Sequence, residues 1–351
     1  MVLQIILGVV LGIVGVAVIV AAGYVLNNLN YFAWDMNRVK KAGFTEKQFT
    51  VGDTVLNYAE GPDNGPPLLL IHAQVVDWEN YAKVLPALSK GYHIFAVDCH
   101  GHGKSSKNPE EYNVEAMGGD FAQFIAQVIK EPAVVSGHSS GGLITAWLAA
   151  NAPGQVAGVV LEDPPFFSSE QARTQKTFNY VDLSVPCHNF LAQSEEKDFT
   201  AYYLKNCAWM KFFQGGQKGI TEYALSYREK HPDTPIKLFF LPPSINESLR
   251  ATDTYDPRFG ETFYNSSWHK NFDHAEALAK IDCPSVLIHT SWSYGPDGIL
   301  WAAMDGNDAE RAHSLIKGNV LINVKSGHGF HFDHPREFIK IMLDFKEQFA
   351  A

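Results

Sequence analysis

Val134-Val135-Ser136-Gly137-His138-Ser139-Ser140-Gly141-Gly142 is the stretch on which the reading of this chain turns. A β-branched run leads into Gly-x-Ser-x-Gly with Ser139 at its centre, and a helix-forming segment, 141–150, follows. A strand that turns sharply into a helix needs glycines, because backbone passes close to backbone there, and the turn lifts the central side chain clear of the sheet. The helix behind it offers unpaired N–H groups and a positive dipole end to a developing oxyanion. Ser140 is the poorer nucleophile, since His138 would then occupy its leading glycine position.

Outward from this motif, strands and helices alternate. Candidate strands are 48–51, 54–60, 67–72, 93–98, 133–136, 158–162, 285–290 and 320–324. The later ones are short continuous apolar runs, as strands buried on both faces require. Helical stretches fall at 79–89, 114–129, 141–150, 309–316 and 335–349. Two early strands in hairpin register followed by alternation predict an α/β fold: a mostly parallel eight-stranded sheet with helices on both faces. One interval breaks the pattern. Residues 164–282 carry 21 aromatics in 119 positions, against 23 in the other 232, which predicts a helical insertion. Most of those aromatics are expected to fill apolar interior, and the rest to line a pocket where the insertion meets the sheet.

Four motifs in order then resemble the α/β-hydrolase family over residues 45–350. They are strand 67–72 with the Ala73-Gln74 turn, Asp98-Cys99-His100-Gly101-His102-Gly103-Lys104-Ser105, the Ser139 motif, and Gly327-His328 followed by Pro335. The resemblance implies a hydrolase core in two parts, 45–163 and 283–351, with 164–282 as a helical cap. Two positions depart from the family pattern. Ala73 stands where glycine is usual and resists a positive φ, and His100 replaces the usual arginine.

Serine is a weak nucleophile until a neighbouring imidazole takes its proton. By its place in the Gly-His…Pro motif, the resemblance makes His328 the base and leaves His331 and His334 structural. The acid that orients the base has two candidate positions. Asp163, 24 residues after Ser139, resembles the acid of zearalenone lactonases and some haloalkane dehalogenases; Asp297 is the nearest acid after strand 285–290, with Asp305 and Asp308 further on. Asp163 is preferred and Asp297 stays as the alternative acid. The backbone N–H groups of Ser140 and Gln74 are the expected oxyanion donors. The resulting expectation is a serine hydrolase that cleaves a carboxylic ester or lactone through an acyl-enzyme, with an apolar acyl group in a small-molecule substrate. The alternatives are a C–C bond hydrolase with the same triad and a non-catalytic hydrolase-like binding protein.

The N-terminus has a separate character. Ile5–Leu26 is an unbroken apolar run of 22 residues, and the first charge in the chain is Asp35. As a helix it spans about 33 Å, enough for a hydrocarbon core of about 30 Å. No basic residue precedes it, as a cleaved secretory signal would require, so residues 1–34 are read as a transmembrane anchor and 35–44 as a linker. Arg38, Lys40 and Lys41 flank only the C-terminal end, which predicts a cytoplasmic body. Gly8 and Gly12 form a G-x-x-x-G pair, a weak sign of helix association that leaves the oligomeric state open.

Composition sets outer limits. With 28 basic and 38 acidic residues the formal charge is −10, which argues against a nucleic-acid partner, and 46% hydrophobic residues argue against disorder. Cys99, Cys187, Cys207 and Cys283 form no C-x-x-C pair. Asp98, Cys99, His100 and His102 crowd one turn without tetrahedral spacing, so neither a metal nor a cofactor is expected. Asn246-Glu247-Ser248 and Asn265-Ser266-Ser267 match the glycosylation pattern, which a cytoplasmic domain would not use.

Overall fold

The computed structural model describes residues 1–171 and 173–349. Eight strands form one sheet: β1 (Thr45–Val51), β2 (Thr54–Glu60), β3 (Pro67–Ile71), β4 (His93–Val97), β5 (Ala133–His138), β6 (Val156–Glu162), β7 (Ser285–His289) and β8 (Val320–Asn323). Their spatial order is β1-β2-β4-β3-β5-β6-β7-β8. β1 pairs antiparallel with β2 and β2 with β4; every later pairing is parallel. Every residue of β3, β5 and β7 is buried, which is why these strands read as apolar runs without alternation.

Helices along the chain are α1 (Val2–Lys41), α2 (Leu85–Leu88), α3 (Val114–Phe124), α4 (Ser140–Asn151), α5 (Val185–Leu191), α6 (Phe199–Asn206), α7 (Gln217–Lys230), α8 (Pro243–Arg250), α9 (Pro257–Tyr264), α10 (His274–Ala279), α11 (Gly306–Leu315), α12 (Phe330–Asp333) and α13 (Pro335–Lys346). One face of the sheet packs with α3 and α4 and with aromatics between β6 and β7, among them Phe166, Phe259 and Trp268. The other face packs against Tyr81, Leu85, Phe338 and Phe345.

Three expectations need correction. The helix expected over 79–89 is broken into a 3₁₀ turn, Trp78–Tyr81, and the short α2. Pro86 cannot donate to the preceding turn, so it opens a helix instead of continuing one. Over 114–129, α3 ends at Phe124 and passes into a π-helical turn, Ile125–Ile129, closed by Lys130 at φ 68°. The segment read as a linker, 35–44, is helical as far as Lys41. No proline or glycine interrupts 27–41, and Asn28, Tyr31, Asp35 and Val39 share one buried helical face.

That face docks on both the core and the insertion. Tyr31 Oη donates to Glu247 Oε2 at 2.9 Å and its ring meets Phe332 edge-on at 6.1 Å. Arg250 completes the junction. It bonds Asp77 and Glu79 of the core and Glu247 of α8, with its guanidinium 4.5 Å over the Phe32 ring. The N-terminal half of α1 makes a different impression: its apolar window has a mean hydropathy of 3.1 and none of it is buried.

Candidate active site

β5 ends in His138, and the chain reverses at Ser139 with φ 55° and ψ −119°, a region that non-glycine residues rarely occupy. The reversal depends on close backbone approach. A Cβ on Gly137 would lie 2.2 Å from the Gly141 carbonyl oxygen, and one on Gly141 would lie 2.3 Å from that of Ile71. Ser139 N–H donates to Glu162 O at 2.9 Å, tying the turn to the end of β6. Ser140 opens α4, so its N–H belongs to the first turn, which has no intrahelical acceptor.

Across from the elbow, the loop after β8 carries His328. Its Nδ1 donates to Asp163 Oδ2 at 2.7 Å. Asp163 is fully buried, lies just past β6 at φ 45°, and also accepts from Thr290 Oγ1 at 2.7 Å and Thr290 N–H at 3.3 Å. Burial lowers the His328 pKa, while the hydrogen bond and charge of Asp163 raise it. The balance lies above the ordinary imidazole value of 6.5. With 43% of the His328 side chain exposed, the rise from Asp163 outweighs the burial effect. An imidazole held by Nδ1 in this way keeps Nε2 free to accept a proton.

Ser139, His328, Ala73 and Gln74 line one cavity of about 500 Å³. Its far wall is built by the insertion: Phe178, Leu183, Tyr203, Trp209 and Phe263. Phe178, Tyr203, Trp209 and Phe263 are the pocket-lining minority of the aromatics. The others named in the fold, Phe166, Phe259 and Trp268, are fully buried filler. The positive φ in the turn after β3 falls on Val75, at 62°, and Ala73 is not among the residues with positive φ. The departure at Ala73 therefore leaves that turn without strain at the substituted position. Gln74 Oε1 accepts from Tyr255 Oη at 3.3 Å, which joins the turn to the insertion.

The structure brings together Ser139, His328 and Asp163 and does not bring Asp297 to them. Asp297 is exposed and accepts from Ile299 N–H at 3.2 Å within its own turn. Asp305 and Asp308 cap α11 and bind Arg173. Where an acid after β7 would stand, Thr290 instead donates to Asp163. The sequence reading overlooked Thr290, because its closeness to Asp163 depends on β6 and β7 being neighbours. It also overlooked His138, whose Nε2 donates to the His328 carbonyl at 2.9 Å and whose burial lowers its pKa to about 3.

The dense Asp98–His102 segment has other work. Asp98 accepts from Trp78 N–H, Lys104 N–H and Asn57 Nδ2, His100 pairs with Asp120, and His102 bonds the His100 carbonyl. His72 Nδ1 donates to Ala73 O at 2.7 Å and its Nε2 accepts from Cys99 N–H at 2.9 Å, so it braces the turn that carries Gln74. Burial lowers its pKa to about 4, so it serves as a neutral brace.

Comparison with known proteins agrees with this architecture. A family model described as alpha/beta hydrolase fold matches residues 66–183. The acetyltransferase component of an acetoin-cleaving system from Cupriavidus necator is 35% identical over 112 residues, which is 32% of this chain and 30% of that protein. The chain thus spans about a third of the length of that relative. A pimeloyl-[acyl-carrier protein] methyl ester esterase of Neisseria meningitidis is 24% identical over 82% of this chain and 95% of its own. The crystal structure of a membrane phospholipase A, a bacterial virulence factor, superposes with a TM-score of 0.60 at 20% identity, covering 98% of both chains. The chain has the α/β-hydrolase fold and is similar to proteins that carry it. An esterase and a dehalogenase are among the proteins similar to it in sequence, and an enol-lactonase is among those similar in fold.

Proposed function

We propose that the protein is a serine ester hydrolase, anchored in a membrane by α1, that acts on esters or lactones with an apolar acyl group. The observation that carries this reading is the 2.7 Å His328–Asp163 hydrogen bond on a cavity that also holds the Ser139 elbow. Ser139 Oγ attacks the carbonyl carbon as His328 Nε2 takes its proton. The oxyanion is met by the N–H groups of Ser140 and Gln74. His328 then protonates the leaving alcohol as the C–O bond breaks. Water next attacks the acyl-enzyme, giving its proton to His328 and releasing the acid as Ser139 recovers its own. Asp163, held by Thr290, keeps the imidazole in the tautomer this cycle needs.

The apolar acyl preference rests on the cavity wall of Phe178, Leu183, Trp209 and Phe263. The esterase and phospholipase names among the relatives fit the same class. The basic residues Arg38, Lys40 and Lys41 favour a cytoplasmic body. A fluorophosphonate probe tests the nucleophile: labelling is expected in the full chain and lost in Ser139→Ala. Well-folded protein that takes no label would overturn the reading in favour of a binding protein. On p-nitrophenyl esters, activity confined to acetate would remove the apolar acyl assignment.

A further inference from the structure

The tip of the insertion, residues 238–241, lies against α1 at the end of the apolar run. Asn28 Nδ2 donates to Phe239 O at 2.8 Å, and Tyr24 Oη donates to Phe240 O at 3.3 Å. Tyr24 and Leu26 are the last residues of that run and are both exposed. α1 is one unbroken helix, docked on the body through Asn28, Tyr31, Asp35 and Val39. A helix held in this way acts as a rod, so the body keeps a fixed height along the span, with the tip level with its end.

The tip has the composition of an interfacial element. Phe239 is 39% exposed and Tyr223 43% exposed, and with Phe240 they form an edge-on aromatic cluster with centroids 5.1–6.1 Å apart. Aromatic side chains of this kind collect where headgroups meet acyl chains. The exposure does not come from a loose loop. Asn246 accepts from Leu238 N–H at 2.7 Å and donates to the carbonyls of Leu238 and Leu241 at 3.0 Å, pinning the tip to α8. Ile236, Leu238 and Leu241 face inward on a small apolar cluster, which leaves Phe239 pointing out.

We propose that the Phe239–Phe240 tip, together with Tyr223, inserts into the headgroup–acyl boundary of the leaflet that α1 leaves, and so holds the cavity over that leaflet. The partner is a lipid bilayer, and the substrate class is a membrane lipid ester delivered from it. This rests on the reading of α1 as a membrane anchor. The path is short. Tyr31, seven residues or about 10 Å of helix beyond Tyr24, touches Glu247 and Phe332, and both of these line the cavity.

The test uses the full chain in phosphatidylcholine–phosphatidylglycerol vesicles, with an environment-sensitive fluorophore on Phe239→Cys and, separately, on Val16→Cys, both in a Cys283→Ser background. The other three cysteines are buried. Nitroxide lipids should quench both labels, the one at 239 most strongly from shallow acyl positions, and aqueous iodide should reach neither. A 239 label open to iodide while the 16 label is lipid-quenched would overturn this proposal alone. A 16 label that lipids do not quench would overturn the anchor reading beneath it. A Phe239→Ser/Tyr223→Ser variant should lose about tenfold in hydrolysis of long-chain esters in vesicles, as expected for two lost interfacial aromatics. Its rate on water-soluble p-nitrophenyl butyrate should not change. An equal loss on both substrates, or none on vesicles, would count against the tip.

Discussion

His331 Nδ1 lies 2.9 Å from both carboxylate oxygens of Glu162, the residue immediately before Asp163. The His331 backbone N–H donates to the same carboxylate at 2.8 Å, and Nε2 faces Asn80 Oδ1, also at 2.8 Å. Both ring nitrogens therefore face acceptors, so the ring is held from two sides in the interior. Glu162 is the last residue of β6, and the chain turns at Asp163 with φ 45°. Glu162 and Asp163 thus hold the end of the loop and the start of α12 at two points, His328 by Asp163 and His331 by Glu162, with the His138 ring 4.6 and 5.2 Å from those two.

Glu162→Gln removes the buried carboxylate that accepts from the ring and backbone N–H of His331, and should cost about 1–3 kcal/mol of stability, read by urea denaturation. Burial raises the Glu162 pKa but His331 more than offsets this, bringing it down to about 2. A carboxyl depressed on folding contributes stability that is complete above its unfolded value, 4.5, and lost as pH falls towards 2. Wild-type stability should fall steeply across that window, and the fall should be shallower in Glu162→Gln.

Asp163→Asn and Asp297→Asn separate the two acids. With Asp163 bonded to His328 and Asp297 confined to its own turn, kcat should drop by about 10⁴ in the first. It should stay near wild type in the second. A large loss at 297 and none at 163 would reverse the assignment.

Much of this architecture was legible because it is local. The apolar runs of β3, β5 and β7 announce strands buried on both faces, and Gly137 and Gly141 announce the close approach at Ser139. The position of Asp163 followed from chain order after Ser139. Thr290 was not legible, because it meets Asp163 across 127 positions of sequence once β7 lies beside β6. Residues 35–41 looked like a linker because Asp35, Arg38, Lys40 and Lys41 make them polar. The face of Asn28, Tyr31, Asp35 and Val39 has helical spacing, but two polar members of the four hid it as a packing face. Asn246 shows the same limit. It sits in a glycosylation pattern, yet it is buried and its side chain is committed to the 238–241 tip.

The acid limb of the pH–rate profile should lie above the ordinary imidazole value. His328 acts as a base only when neutral, and its Asp163 partner raises its pKa above 6.5. kcat/KM on a neutral ester should therefore fall as pH drops through that raised value, while activity is retained above it. A Thr290→Val variant removes the 2.7 Å hydroxyl donor from Asp163, leaving that carboxylate with one donor fewer and a stronger acceptor for His328. The limb should move further up, whereas a merely structural effect would lower the rate at every pH alike.

The elbow predicts opposite outcomes for one substitution at two glycines. In Gly141→Ala the new Cβ would meet the Ile71 and His72 carbonyl oxygens at 2.3 and 2.6 Å, and neither is free to yield, since both belong to backbone beside the elbow. The strain should destabilise the fold by about 1–3 kcal/mol or more. It should also displace the turn carrying Gln74, so kcat falls more than KM rises. Gly119, inside α3, has nothing within 4 Å of its Cβ position and no positive φ. Gly119→Ala should raise stability by about 0.5–1 kcal/mol through helix propensity and leave kcat unchanged. Thermal melts and kinetics on both variants check the pair, and a Gly141→Ala enzyme with wild-type kcat would remove the link between this packing and the oxyanion turn.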